Sequence, residues 1–356
     1  MSVNRMRAAA GALALACLVA GVAFGLSGCR ARKGARDKVV IGFSIATDTF
    51  IIERWNKDIK IFSDAARELG AEVIVQMSAG GTAEQIAQIN FLLARDIDVL
   101  VVVAHDTEML SGVVKKARDA RIPVVAYDRL IMGVPIDAYV SFDNREVGRL
   151  FGAVLLASVP RGRYLIVNGS VRDNNSYEVN AGLKSMIDPA VARKEIRVVD
   201  EIWLEEWSSD EALEKIGAVL ERTTDIDAIS CANDQIANAA IQLLAERQLA
   251  GKVAVVGQDA DILSCQHVIE GTQLMTVYKP IARLAQRAAE IAVQVARGQV
   301  PTPDFEVDNK SGAMIPFYME DPMAVFRENM DETVIRDGFH SAEDVYRGGV
   351  LRPVRN

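Results

Sequence analysis

Cysteine and histidine are scarce, four and three in a chain of 356 residues. Cys17 and Cys29 lie in the amino-terminal segment, so only Cys231 and Cys265 remain for the body of the chain, too few for a disulfide-stapled scaffold. One bridge between them, or two buried thiols, are the readings left open. His105, His267 and His340 are isolated and show no metal-ligand spacing. Neither G-x-G-x-x-G nor G-x-x-x-x-G-K-[ST] occurs, which counts against dinucleotides and nucleoside triphosphates. No Ser-His or Cys-His pairing marks a nucleophile, and paired carboxylates alone are a weak glycosidase signal. The expectation is therefore no catalytic residue, no cofactor and no metal. Positive charge is also short: the formal net charge of -8 withholds the basic surface that nucleic acid requires.

The amino terminus has a pattern of its own. Arg5 and Arg7 precede an apolar, alanine-rich run from Ala8 to Gly25, followed by Leu26-Ser27-Gly28-Cys29. A short apolar region ending in small residues is a cleavable export signal, with an uncleaved anchor as the alternative. Residues 1–29 read as a lipoprotein signal in which the thiol of Cys29 is lipidated. Residues 30–38 form a polar leader, so the mature protein is expected outside the cytoplasmic membrane, tethered by lipid.

From Val39 onward, short β-branched runs alternate with amphipathic helical stretches. Ile122-Pro123-Val124-Val125-Ala126-Tyr127 ending in Asp128-Arg129 is the model sentence: a strand buried on both faces with charge at its carboxyl end. Strands are predicted at Val39–Ile45, Glu72–Gln76, Val99–Val103 and Val124, separated by helices over Glu53–Leu69, Thr82–Ala94 and Met109–Ala120. Gly70 should stop the first helix, and Thr82 with Gln85 reads as a capping box. After an extended piece at Ala138–Phe142, a second series of the same kind runs to Tyr278. Two such arrays predict an α/β protein with two similar domains, parallel sheets and right-handed crossovers. After Pro301 the alternation is lost, and the residues beyond His340 are expected to be loosely ordered.

In open α/β sheets, ligands bind outside the carboxyl ends of the strands. The strand tips and adjoining turns offer Arg54, Trp55, Asp128, Arg129, Asp173, Asn175, Trp207, Asn233, Asp259 and Lys279. Asp, Asn and Arg each address two adjacent hydroxyls, and indole faces suit the C–H side of a ring, so the set fits a monosaccharide. Taken singly, each has a plainer reading. Tips can merely cap helices, tryptophans can be core, and Lys279 can be a solvated hinge residue. Asp234 and Asp261 are read as helix caps.

Seven ordered motifs then carry a family likeness. Glu53-Arg54-Trp55-Asn56-Lys57-Asp58, Tyr127-Asp128-Arg129-Leu130-Ile131, Ser141-Phe142-Asp143-Asn144, Asp173-Asn174-Asn175, Gly257-Gln258-Asp259-Ala260-Asp261, Thr276-Val277-Tyr278-Lys279-Pro280 and Asp337-Gly338-Phe339-His340 resemble the periplasmic D-xylose-binding proteins of bacterial ABC importers. The resemblance spans about Val39 to His340. It implies a type I periplasmic binding protein: two Rossmann-like domains with parallel sheets, joined by a three-crossover hinge around one sugar. The implied domains are 39–142 plus 277–301 and 143–276 plus 302–340, with 341–356 as a tail. The implied sugar contacts are the ten residues above, with Trp55 and Trp207 stacking on the ring. The implied partners are D-xylose and a membrane ABC permease, and the protein is expected to be a monomer. The turns Thr47–Ile52 and Asn168–Arg172 depart from the family pattern, which leaves glucose, arabinose or galactose as alternatives. A sensor presenting sugar to a chemoreceptor or kinase is the alternative among binding proteins. The export signal and missing helix-turn-helix weigh against a transcriptional regulator, and the absent nucleotide loops against an enzyme on a flavodoxin-like scaffold.

Overall fold

The computed structural model describes residues 38–46 and 52–347. The signal, Cys29, most of the leader, the turn 47–51 and the last nine residues lie outside them.

Two sheets form the frame. The first is ordered β11-β12-β5-β4-β3-β1-β2. Its strands are β1 (Val39–Ala46), β2 (Ala71–Ser78), β3 (Val99–Val103), β4 (Val124–Tyr127), β5 (Ala138–Phe142), β11 (Phe305–Asp308) and β12 (Met314–Glu320). All its pairings are parallel except β11 with β12. The second is ordered β13-β10-β9-β8-β6-β7. Its strands are β6 (Gly162–Ser170), β7 (Ile196–Leu204), β8 (Ala228–Cys231), β9 (Ala254–Gln258), β10 (Met275–Tyr278) and β13 (Met323–Val325). Here only β10 with β13 is antiparallel. β3 reads Val-Leu-Val-Val-Val and is buried throughout, as a strand covered on both faces must be.

Helices cover both faces. Helices α1 (Ile52–Glu68), α2 (Gly81–Leu93) and α3 (Ser111–Asp119) follow β1, β2 and β3. Helices α4 (Asn144–Ser158), α5 (Asn174–Ala192), α6 (Ser209–Arg222), α7 (Asp234–Glu246) and α8 (Ile262–Glu270) belong to the second sheet, whereas α9 (Ile281–Ala296) returns to the first. Phe43, Phe62 and Tyr127 knit β1, α1 and β4 together, with ring centroids 4.6 to 6.4 Å apart. Leu284, Ala285, Ala288 and Ala289 of α9 complete that core. Gly70 follows α1 with φ 79, the left-handed residue expected there.

The chain crosses between the sheets three times, at residues 142–144, 278–281 and 320–323. This corrects two of the expected boundaries. Residues 277–278 are the end of β10 and belong to the second sheet, not the first. Residues 302–320 do not join the second half: β12 pairs with β5 through Phe317 and Tyr139, whose rings stack 4.6 Å apart. The reversal is invisible locally because it depends on pairing between strands about 175 residues apart.

Two further expectations fail. Thr82 and Gln85 form no capping box, since the helix begins earlier, at the left-handed Gly81. Gln85 instead stitches the end of β3, donating to Val103 O at 2.7 Å and accepting from His105 N at 2.8 Å. Nor is the start of the tail loose. Residues 342–345 form a short helix, and Val345 and Tyr346 are buried against Val268, Ile269 and Tyr278, with the Tyr346 hydroxyl donating to Asp331 at 2.8 Å. Cys231 and Cys265 are both buried and free. Among the described residues no helix is long and apolar enough to cross a membrane.

Helices α4 and α5 touch backbone to backbone. A Cβ on Gly148 would collide with Val179 O and lie 2.5 Å from Leu183 N, and one on Gly182 would collide with Arg145 O. Alanine would gain about 1 kcal/mol in helix propensity, but prying two backbones apart costs about 1–3 kcal/mol or more. Gly148→Ala and Gly182→Ala should therefore each lower the midpoint of urea unfolding, and an unchanged midpoint would refute the close packing.

Candidate functional site

Each sheet reverses its winding once, between β1 and β3 in the first and between β6 and β8 in the second. The carboxyl ends of the strands around these switch points face one cleft. Arg54 and Trp55 sit in the first turn of α1, Asp128 and Arg129 follow β4, and Asp173 and Asn175 follow β6. Trp207 follows β7, Asn233 follows β8, Asp259 follows β9 and Lys279 follows β10. All ten residues line one small cavity, joined by Gln258. Lys279 is 5% exposed, so it is no solvated hinge residue.

The geometry is a lattice of charge-assisted bonds. Arg54 pairs with Asp128 of its own half, and its other nitrogen stands 3.8 Å from Asp259 across the cleft. Arg129 Nε lies 2.9 Å from Asp173 Oδ2, and that oxygen also accepts from Trp207 Nε1 at 3.1 Å. Lys279 Nζ stands 3.6 Å from Asp259. Asn175 Nδ2 donates to Asp128 O at 3.2 Å and Oδ1 at 3.3 Å, again joining the two halves. The Asp128 carbonyl also accepts from Ser141 at 2.7 Å and Tyr139 at 3.1 Å. Those bonds hold Asp128 in the left-handed region at φ 63, where a side chain other than glycine is strained. Asp259 is also left-handed, at φ 98, and its N–H donates to Val277 O at 2.8 Å.

Two tips serve as helix cap and cleft wall together. Asp173 Oδ1 accepts from Asn175 N at 2.9 Å while Oδ2 faces Arg129 and Trp207. Asn233 Oδ1 accepts from Ile236 N at 2.9 Å, starting α7. The cap and ligand readings were thus never exclusive. Trp55 is 1% exposed, with the Arg54 guanidinium 4.6 Å over its ring centroid. One face of that indole is therefore already covered. Trp207 is half-buried and less enclosed.

Three cations, Arg54, Arg129 and Lys279, meet three carboxylates, Asp128, Asp173 and Asp259. Burial pushes the Asp128 carboxyl up, but Arg54, Lys279 and Arg129 outweigh it and hold it below the usual carboxylate range. Burial wins at Asp173, which is raised despite Arg129 and the Asn175 N–H. Arg54 stays firmly protonated: Asp128, Asp58 and Asp259 overcome its desolvation. A cleft so balanced favours a neutral ligand with many hydroxyls over an ion. Trp55 Nε1, Gln258 Oε1 and Asp259 Oδ1 are buried and make no hydrogen bond with the described residues, leaving capacity for such a partner. Among those residues no cluster could hold a metal ion.

Sequence reasoning missed Gln258 as a wall residue, although it is the last residue of its strand run; its Nε2 donates to Ala232 O and its Oε1 remains. The supporting residues Tyr139, Ser141 and Asn144 were also missed. Asn144 Nδ2 donates to Asn175 Oδ1 at 3.0 Å, so the amide of Asn175 must aim its donors at Asp128. Asp234 is corrected: it caps nothing, and lies fully buried, accepting from Gln273 at 2.9 Å, Thr276 at 2.7 Å and Asp261 N at 3.0 Å. Asp261 occupies the cap position of α8 without a side-chain cap bond. A larger cavity of about 750 Å³ runs past Thr107, Arg145, Arg172 and Lys310. Two of its arginines are paired at the surface, Arg145 with Glu178 and Arg172 with Glu206, and it reads as a solvent groove.

Two doubly wound sheets facing a charge-balanced, hydrogen-bonding cleft have the architecture of a small-solute receptor. The model of the periplasmic binding protein domain matches residues 41–299. The D-xylose-binding periplasmic protein of Haemophilus influenzae is 42% identical over 86% of this chain and 92% of its own length. Its namesake from Escherichia coli K12 is 41% identical over 86% and 93%. The solved carbohydrate transporter solute-binding protein of Chloroflexus aurantiacus, in complex with D-glucose, superposes with a TM-score of 0.80 at 26% identity, covering 87% of this chain and 98% of that one. The chain belongs to the periplasmic binding protein family.

Beneath Arg54, Asp58 is fully buried, accepts from the Tyr127 hydroxyl and lies 3.7 Å from Arg54 Nε. Burial, only partly offset by Arg54 and Tyr127, pushes its carboxyl up to about 7. The unfolded chain loses that proton near the ordinary value of 3.8. Between those values the folded state binds the extra proton, so this group's contribution to stability falls as pH rises and levels off above about 7, with a slope of about 1 kcal/mol per unit. Unfolding free energies measured from pH 4 to 8 should show this slope in the wild type and its loss in Asp58→Asn. Parallel curves would refute the assignment.

Proposed function

We propose that this protein is the extracytoplasmic receptor of an ABC sugar importer, capturing D-xylose between its two halves and delivering it to a membrane permease. The observation that carries this reading is the convergence of ten residues, scattered from Arg54 to Lys279, on one cavity with balanced charge and two indoles. The names of the two 41–42% identical relatives support D-xylose as the sugar. In this reading the halves are lobes that close as rigid bodies on the three crossovers. Arg54, Trp55, Asp128 and Arg129 come from one lobe, and Asp173, Asn175, Trp207, Asn233 and Asp259 from the other. Sugar favours closure because only the closed arrangement satisfies both sets of donors and acceptors. The cleft residues act as hydrogen-bond partners, with no catalytic step assigned to them. The receptor works as a monomer, anchored to the membrane through lipidated Cys29.

Asp259→Ala leaves sugar hydroxyls without their acceptor and should cost about 1.5–3 kcal/mol, roughly ten- to 150-fold in D-xylose affinity by calorimetry. Unchanged affinity would refute the site, and a titration panel of aldopentoses and aldohexoses tests the sugar itself. Cys29→Ser should move the protein from the detergent to the aqueous phase in Triton X-114 partitioning. If it stays in the detergent phase, the lipid anchor is wrong.

A further inference from the structure

Trp207 is half-buried and follows the end of β7, so its own backbone does not fix how far the indole stands into the cleft. Two other residues do. At one end, Nε1 donates to Asp173 Oδ2 at 3.1 Å, and Asp173 is itself locked by Arg129 and by capping α5. At the other end the benzo edge packs against Gly169. A Cβ added there would collide with Cη2 and Cζ3 and lie 2.6 Å from Cζ2, so the nearest three atoms all belong to this one ring.

Gly169 lies within β6 with no left-handed φ, so conformational freedom is not what a glycine supplies here. A glycine inside a strand costs stability and marks a close approach by another group. The group is Trp207, and any other residue would push the indole out into the cleft.

We infer that Gly169 is a positioning residue that sets the height of the Trp207 platform and thereby selects among aldoses. The inference rests on the proposed reading that Trp207 stacks on a pyranose. A xylopyranose chair can place every ring hydroxyl equatorially, so both of its faces present C–H to an indole. An epimer with an axial hydroxyl turns an oxygen toward the ring, where it loses water and gains no partner. A platform held at fixed height accepts the flat face and penalises the axial oxygen. A side chain at 169 would lower the ceiling for every ligand.

The test is a double-mutant cycle of Gly169→Ala and Trp207→Ala, titrated with D-xylose and with its C4 epimer, L-arabinose. Gly169→Ala should weaken xylose binding about tenfold or more, as overpacking would, and change the xylose-to-arabinose ratio. In the Trp207→Ala background the same substitution should change affinity less than twofold, because the methyl then meets open space. Wild-type affinity in Gly169→Ala, an unchanged ratio, or a loss that persists without the indole would overturn the inference. If Gly169→Ala does not fold, the double variant decides: recovery of folding supports a clash with Trp207 alone, and failure overturns it. Absence of any aldose binding by the wild-type protein would instead defeat the functional reading beneath it.

Discussion

Charge taken out of water has to find its opposite, and the cleft is organised around that requirement. Arg54, Arg129 and Lys279 are each too buried to be solvated, and each stands beside a carboxylate at a strand tip. Removing one partner from such a pair strands the other, which is why buried pairs are costly to break even when they add little net stability. Asp128 and Asp259, which Arg54 faces from either side, both hold left-handed backbone angles, φ 63 and φ 98. The strain is sustained by bonds to the Asp128 carbonyl from Tyr139, Ser141 and Asn175.

The same economy explains why strand tips and helix starts coincide at the site. A parallel sheet delivers each strand to a turn that must begin a helix, and the helix needs an oxygen for its first amides. Asp173 and Asn233 supply that oxygen and keep the rest of the side chain for the cleft. In the proposed reading, capping removes rotamer freedom from a residue that the sugar would otherwise have to order. The wall is thereby preorganised at no extra cost to binding.

Most of this was legible in the chain because the information is local. A run such as Val124 to Tyr127 ending in Asp128-Arg129 declares a buried strand, its direction and its polar tip at once, and the family likeness runs through the same residues. What local pattern could not carry was pairing at a distance. Residues 302–320 lost their alternation and so looked like part of the second half, yet Phe317 lies on Tyr139. Asp234 sits where a cap would be written, and only the fold brings Gln273 and Thr276 to it. Thr82 and Gln85 have capping-box spacing, but β3 and His105 claim them first. Gly169 lies in the stretch Asn168–Arg172 that departs from the family pattern, but its role could not be read there because what it accommodates arrives from 38 residues further on.

Closure has to be conditional for a receptor to be useful, and the cross-cleft bonds suggest how. Arg129 with Asp173 and Asn175 with Asp128 bridge the halves directly, while Arg54 and Asp259 stand farther apart at 3.8 Å. Exposed to water, these groups would be solvated, so bringing them together exchanges one set of hydrogen bonds for another with small net gain. What remains unbalanced is hydrogen-bonding capacity: Trp55 Nε1, Gln258 Oε1 and Asp259 Oδ1 are buried without a hydrogen bond among the described residues, although Asp259 Oδ1 has Lys279 at 3.6 Å and Arg54 at 3.8 Å as ionic neighbours. In the proposed reading a polyol supplies donors and acceptors to such atoms together, so its binding energy is realised chiefly in the closed arrangement. That difference in affinity between two states, and not affinity itself, is what lets a ligand move a conformational equilibrium.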